Sequence, residues 1–201
     1  MGGLKDNTSD ITFVNIRDGR LTLKLADGNY KAYGSLGGVI KKVAFGSYTA
    51  QNNVSYETLK VIIDNEGEAF QLEMFTDSRY FLSMCNFLKT SNPLVAVEVS
   101  PREKVNEHGK KVQTMFVKQN GKSLSAAHTK DNMGDLPPLE PVAGQTYLNN
   151  SKQVAYWKAW MIATYGEFKT NAPAVADNQG TANNSYVNNP VTTEPIEDLP
   201  F

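Results

Sequence analysis

The sequence predicts a mainly β fold: a five-stranded barrel with an added N-terminal β-hairpin, one helix between its third and fourth strands, a C-terminal helix and a disordered tail. Three observations carry this expectation. Apolar and polar residues alternate in short runs, as in Leu21-Thr22-Leu23-Lys24-Leu25 and around Val95, Val97 and Val99. Turn signals such as Asp18-Gly19, Asp27-Gly28 and Asn65-Glu66-Gly67 separate the runs. Only two stretches space their apolar residues by three and four, as a helix requires.

Residues 11–34 read as a β-meander. After Gly34-Ser35-Leu36-Gly37-Gly38, taken as a break, Val39 to Tyr48, Thr58 to Asp64 and Glu68 to Phe75 read as three strands, the last two joined by a tight hairpin. Asp77 or Ser78 can cap a helix whose Tyr80, Phe81, Met84, Cys85, Phe87 and Leu88 form an apolar stripe ended by Asn92-Pro93. Leu94 to Ser100 and Val112 to Gln119 are the next two strands, the second placing Val112, Thr114 and Phe116 on one face. From Val39 onward the order strand, strand, strand, helix, strand, strand is that of an oligonucleotide-binding (OB) barrel. Residues 120–148, rich in Gly and Pro, read as an irregular connection. Ser151 then caps a helix to about Phe168 with Val154, Trp157, Met161, Tyr165 and Phe168 on one stripe, widened by Tyr156 and Trp160. So apolar a helix needs a partner surface, its own barrel in the first instance and a second copy of the chain in the other.

Residues 170–195 mix six asparagines with Ala, Thr, Pro and Val, too little apolar surface to offset chain entropy. The expected organisation is a body over residues 1–168 and a disordered linker with an acidic tip over 169–201. The chain of 201 residues carries 20 Lys plus Arg and 21 Asp plus Glu, a net charge of −1, which excludes a polycation. The tail holds Lys169 against Asp177, Glu194, Glu197 and Asp198, which leaves 19 bases and 17 acids in the body, near +2. No apolar run approaches the roughly 18 residues of a membrane-spanning helix, and the start lacks the apolar core of a signal peptide and the myristoylation pattern. The single Cys85 permits no internal disulfide and fits a reducing cytoplasm.

Catalysis finds little support in the residues. His108, His128 and Cys85 are the only nucleophile or base candidates of their kinds, and both histidines read as solvated loop residues. Two distant histidines and one cysteine do not supply the four paired ligands of a structural zinc site. Gly121-Lys122-Ser123 resembles the end of a phosphate-binding loop, but Phe116 stands where the pattern requires glycine. The expectation is a protein that is not an enzyme and holds no cofactor or metal.

Aromatic and basic side chains on predicted strands and loops are the combination that binds single strands by base stacking and phosphate neutralisation. The candidates are Tyr30, Lys31 and Tyr33; Lys41, Lys42 and Tyr48, with alternation directing only one of the two lysines to a given face; Tyr56, expected in the following loop; and Arg102, Lys104, Lys110 and Lys111 around the loop between the last two strands. The competing role for the tyrosines and for Phe45 is barrel core, and for the lysines a solvated face.

The terminal Glu197-Asp198-Leu199-Pro200-Phe201 resembles the end of bacterial single-stranded DNA-binding proteins, an acidic run followed by a hydrophobe, proline and terminal phenylalanine. The order barrel, linker, acidic tip is similar to that family as well. The resemblance implies a protein that coats single-stranded DNA and recruits replication, recombination and repair proteins through its tip. Phe201 would be the anchor, Pro200 and Leu199 shaping contacts, and Asp198 and Glu197 the acidic contacts with a basic ridge. The linker is Asn-rich where the family's is rich in Gly, Gln and Pro, so the body resembles a divergent phage or mobile-element version acting in a bacterial cytoplasm, without a membrane and with a homo-oligomer open to it. The alternative from another class is a β-rich structural or interaction protein whose tail docks a partner without nucleic-acid binding.

Overall fold

The computed structural model describes residues 11–50, 52–107, 109–143 and 148–167. His108, Phe168, the asparagine-rich segment and the acidic tip from Glu197 to Phe201 lie outside these residues. The strands β1 (Thr12–Arg17), β2 (Arg20–Lys24) and β3 (Tyr30–Tyr33) form the expected meander. At the β1–β2 turn Asp18 and Gly19 both take positive φ, 47° and 70°, the twist that a two-residue hairpin loop demands. Glu66 and Gly67 repeat the device, at 54° and 92°, between β5 (Ser55–Asn65) and β6 (Glu68–Phe75).

β4 (Leu36–Thr49) starts inside the segment expected to be a break. Leu36, Gly37 and Gly38 pair with β7 (Val97–Val105), and from Val39 onward the strand pairs with β5. Gly38 makes the crossing possible. Its φ is 147°, and a Cβ there would meet the Asp64 carbonyl oxygen at 2.5 Å. β7 begins at Val97 rather than Leu94 because Asn92 ties the Leu94 N–H (3.0 Å) and the Val95 N–H (3.2 Å) into a turn. β8 (Lys111–Gln119) follows, then the short β9 (Lys122–Ser123), β10 (Glu140–Pro141) and β11 (Leu148–Asn149). Val112, Thr114 and Phe116 share a face of β8, but Met115 and Val117, on the other face, enter the core and Phe116 stays 43% exposed.

Nine strands form one mixed sheet in the order β3-β2-β1-β6-β5-β4-β7-β8-β9. The fold is therefore mainly β, as expected, but the sheet does not close into a five-stranded barrel. β6 is occupied on its outer edge by β1, in parallel, through Thr12↔Phe70, Phe13↔Gln71 and Val14↔Leu72. The meander thus takes the edge that closure would have used. On the far wing, β8 has its Met115 N–H capped by Ser83 Oγ (2.8 Å) of helix α1 (Arg79–Leu88), so α1 satisfies an otherwise open stretch of strand. Ser78 caps α1 as expected, accepting from the Phe81 N–H at 3.2 Å.

One face of the sheet supplies Val14, Val43, Leu59, Val61, Ile63 and Leu72 to the core, and Phe81, Met84 and Leu88 of α1 belong to the same cluster. Helix α2 (Ser151–Tyr165) adds Trp157, Met161 and Tyr165 to the same core. It docks on its own sheet: the Val43 N–H donates to the Gly166 carbonyl (3.0 Å), and Lys158 pairs with Glu57. Asn150, not Ser151, stands at its N-cap, and the Ser151 N–H turns back to Asn149 Oδ1 (2.9 Å). No described helix is long and apolar enough to cross a membrane.

His128 departs from expectation. It is 3% exposed, its backbone N–H and carbonyl held by the Asn86 side chain (2.8 and 2.9 Å), and its ring lies edge-on to Trp157. The segment around it offers only small and polar neighbours in sequence; the burial comes from α1 and α2, distant along the chain.

Candidate nucleic-acid interface

Strand pairing sorts side chains by face, because directly opposed residues point the same way and neighbours alternate. The core face of β4, β5, β6 and β1 contains Val43, Val61, Leu72 and Val14. The other, outer face carries Lys42, Ile62, Gln71 and Phe13 in one row across these four strands. The helices pack on the core side, so among the described residues no helix covers the outer face.

At one end of this face three rings meet. Tyr48 opposes Tyr56 across β4 and β5, and both tilt onto Phe75 of β6, with ring centroids 6.2 and 5.5 Å away. Tyr48 is 49% exposed, and Tyr56 and Phe75 are half-buried. Tyr56 lies in β5 and not in a loop. Such a cluster presents a rigid aromatic platform, its lower rings holding the upper one in place. Lys42 and Lys60 stand on the same face, and Glu73, opposite Lys60, is the acid that tempers them.

A bulge between Ile40 and Lys42 sets which lysine joins them. Lys41 is the extra residue and pairs with Asp64 at 3.5 Å, while Lys42 returns to the alternation and faces outward. Phe45 falls on the core side, half-buried, under the Lys158 ammonium at 5.1 Å.

The other candidates are distributed. Tyr30 lies on the outer face of β3, with the Arg17 guanidinium over its ring at 4.1 Å. Lys31 and Tyr33 fall on the opposite face, the ammonium 5.1 Å from the ring centre. Arg102 and Lys104 share the face of β7 that bears Ser100, while Lys111, opposite Val105, stands on the other face and pairs with Glu103 at 2.8 Å. That pair holds the Lys111 ammonium above its usual pKa. Lys110 closes the β7–β8 loop, its N–H donating to Asn106 Oδ1 (2.8 Å). β7 pairs only with the first residues of β4, and its Arg102–Glu103 stretch packs against the turn between β1 and β2, where a Cβ on Gly19 would meet the Glu103 nitrogen at 2.5 Å. The sequence candidates form separate groups, of which Lys42, Tyr48, Tyr56 and, at the meander end, Tyr30 share the outer face. Phe75, Lys60, Phe13 and Arg17 complete that surface and escaped sequence reasoning. Their only sequence signal was position within an alternating strand, which a core residue gives equally.

A second polar constellation lies beneath α2. Lys89 Nζ donates to Asp135 (2.8 and 3.0 Å) and to the Tyr156 hydroxyl, which itself donates to Asp135 (2.8 Å). His128 Nε2 stands 3.3 Å from Lys89 Nζ and 3.5 Å from Asp135. Hydrogen bonds from Lys89 and Tyr156 pull the Asp135 carboxyl down to about 2. Burial and the Lys89 charge lower His128. Burial depresses Lys89, but Asp135 and Tyr156 more than offset it and its pKa is raised. The Lys89–Asp135 pair beside the buried His128 imidazole pins the connection to the helices. No described cluster of His, Cys, Asp and Glu could hold a metal ion.

Compared with models of protein families, with curated proteins and with solved structures, the chain matches none.

Proposed function

We propose that the chain binds single-stranded DNA on the outer face of β4, β5 and β6, coating the strand without hydrolysing nucleotide, and that its acidic tip recruits replication, recombination and repair proteins. The observation that carries this is the Tyr48–Tyr56–Phe75 cluster on a helix-free sheet face beside Lys42 and Lys60. Rings take bases by stacking whatever their identity, and lysines take phosphates.

The strand order adds support. Read from β4, the neighbours β6-β5-β4-β7-β8, with α1 between β6 and β7, follow the order of an OB barrel opened between its third and fifth strands. In that architecture the face of the second and third strands, here β5 and β6, is the one that receives oligonucleotides. The tip reading rests on the sequence resemblance, with Phe201 as anchor.

The test is fluorescence anisotropy of labelled oligo-dT, with a duplex of equal length as control. Single-strand binding weakened by salt, with little duplex binding, is the expected result. If neither the full chain nor a form lacking residues 194–201 binds the strand at low salt, the reading fails. The body would then be a β-rich interaction protein whose tail docks a partner.

A further inference from the structure

We propose that the added N-terminal meander is a second station for single-stranded DNA, in which Phe13 stacks on a base and Arg17, held on Tyr30, meets a phosphate. This rests on the reading of the outer face as a strand-binding surface and extends it across two more strands.

Register places the station on that surface. The row Lys42, Ile62, Gln71, Phe13 runs without interruption across β4, β5, β6 and β1. Continuing the β1–β2 register by one residue sets Lys24 beside Phe13, and Lys24 pairs with Tyr30 on β3. Six strands at about 4.8 Å give a row of roughly 24 Å. Phe75 stands four residues along β6 from Gln71, about 13 Å from the row at 3.3 Å per residue. A single strand leaving the tyrosine cluster can reach Phe13 in a few nucleotides.

The side chains fit that occupant. Phe13 is 60% exposed, a large ring on the sheet face, beside a Gln71 that is buried. The Arg17 guanidinium, stacked on Tyr30, is fixed in orientation while its donors stay available, the arrangement suited to phosphate. Thr22, between them on the same face, is buried. Among the described residues no carboxylate forms an ion pair with Arg17, Arg20, Lys24, Lys42 or Lys60, whereas Lys41, Lys89, Lys111, Lys118, Lys152 and Lys158 each have one. Positive charge, tempered by Glu73 opposite Lys60, thus accumulates along the row, as a polyanion requires.

The experiment compares oligo-dT of roughly 6 and 16 nucleotides, spanning the range of OB site sizes. The proteins are wild type, Phe13→Ala, Phe13→Trp, Arg17→Gln and Tyr48→Ala, each checked by thermal melting. Phe13→Ala and Arg17→Gln are expected to weaken the longer strand about fivefold or more and leave the shorter unchanged, with Phe13→Trp close to wild type, while Tyr48→Ala weakens both. If wild type binds and Phe13→Ala matches it at both lengths, the second station is overturned and the first surface stands. A loss equal at both lengths also overturns a separate station. If wild type binds neither strand, the whole strand-binding reading falls with it.

Discussion

Tyr48 is the residue whose substitution separates binding from folding most cleanly. Its ring is half in solvent and rests on Phe75, so truncation removes a stacking platform without opening the core. Stacking of one base on one ring is worth about 1–3 kcal/mol, so Tyr48→Ala should weaken oligo-dT binding at least fivefold, with the melting temperature little changed. Tyr33→Ala, on the other face of the sheet, is the matched control and should leave binding intact. An equal loss from both variants would remove the outer face from the site. The contrast also shows how far residues could be read from sequence. Tyr30, Lys31 and Tyr33 are neighbours in the chain, and alternation alone splits them between faces. Which face is outer depends on which one the helices cover. Lys42 is the sharper case: alternation separates it from Lys41, but the bulge that sends Lys41 to Asp64 needs the pairing with β5 to be seen.

At the scale of elements, the strands and helices were legible because each carries its own period and punctuation. The hairpin glycines, the Ser78 cap and the Trp157, Met161, Tyr165 stripe are local signals, and the structure keeps them. The clamp joining α1, the 125–137 connection and α2 was not legible, since its members are Asn86, Lys89, His128, Asp135 and Tyr156. It carries a pH dependence. His128 is held below its ordinary 6.5 by burial and by Lys89, so the unfolded chain binds that proton more tightly than the folded one. Its contribution is complete above pH 6.5 and is lost as pH falls from there through the folded value. Asp135 adds a second loss as pH falls from its ordinary 3.8 through about 2, in a range where Glu103 and Asp27, also lowered, contribute. Melting followed by circular dichroism should therefore show stability falling below neutrality and again in strong acid. His128→Gln should flatten the first decline, and Asp135→Asn should shrink the second. A first decline unchanged in His128→Gln would assign it elsewhere.

For the whole molecule, the closed barrel was the part of the fold that local pattern could not decide. Closure depends on which strand takes the outer edge of β6, and a six-residue strand from the N-terminus does so, in parallel, against any expectation from chain order. The consequence is a wider open face, and with it a charge distribution that a net charge of −1 conceals. Arg17, Arg20, Lys24, Lys42 and Lys60 lie on that face without ion-pair partners among the described residues. For a single strand each neutralised phosphate contributes about −0.7 to the slope of log K against log salt concentration, so these five cations set a limit near −3.5. Replacing Arg17 and Lys42 by Gln should make the slope shallower by about 1.4 while stacking affinity, extrapolated to high salt, is retained. Replacing Lys31, on the opposite face of β3, by Gln should change the slope little; Arg102 is no such control, because its backbone packs against the Gly19 turn beside Arg17. The reverse pattern would move the phosphate path off the outer face.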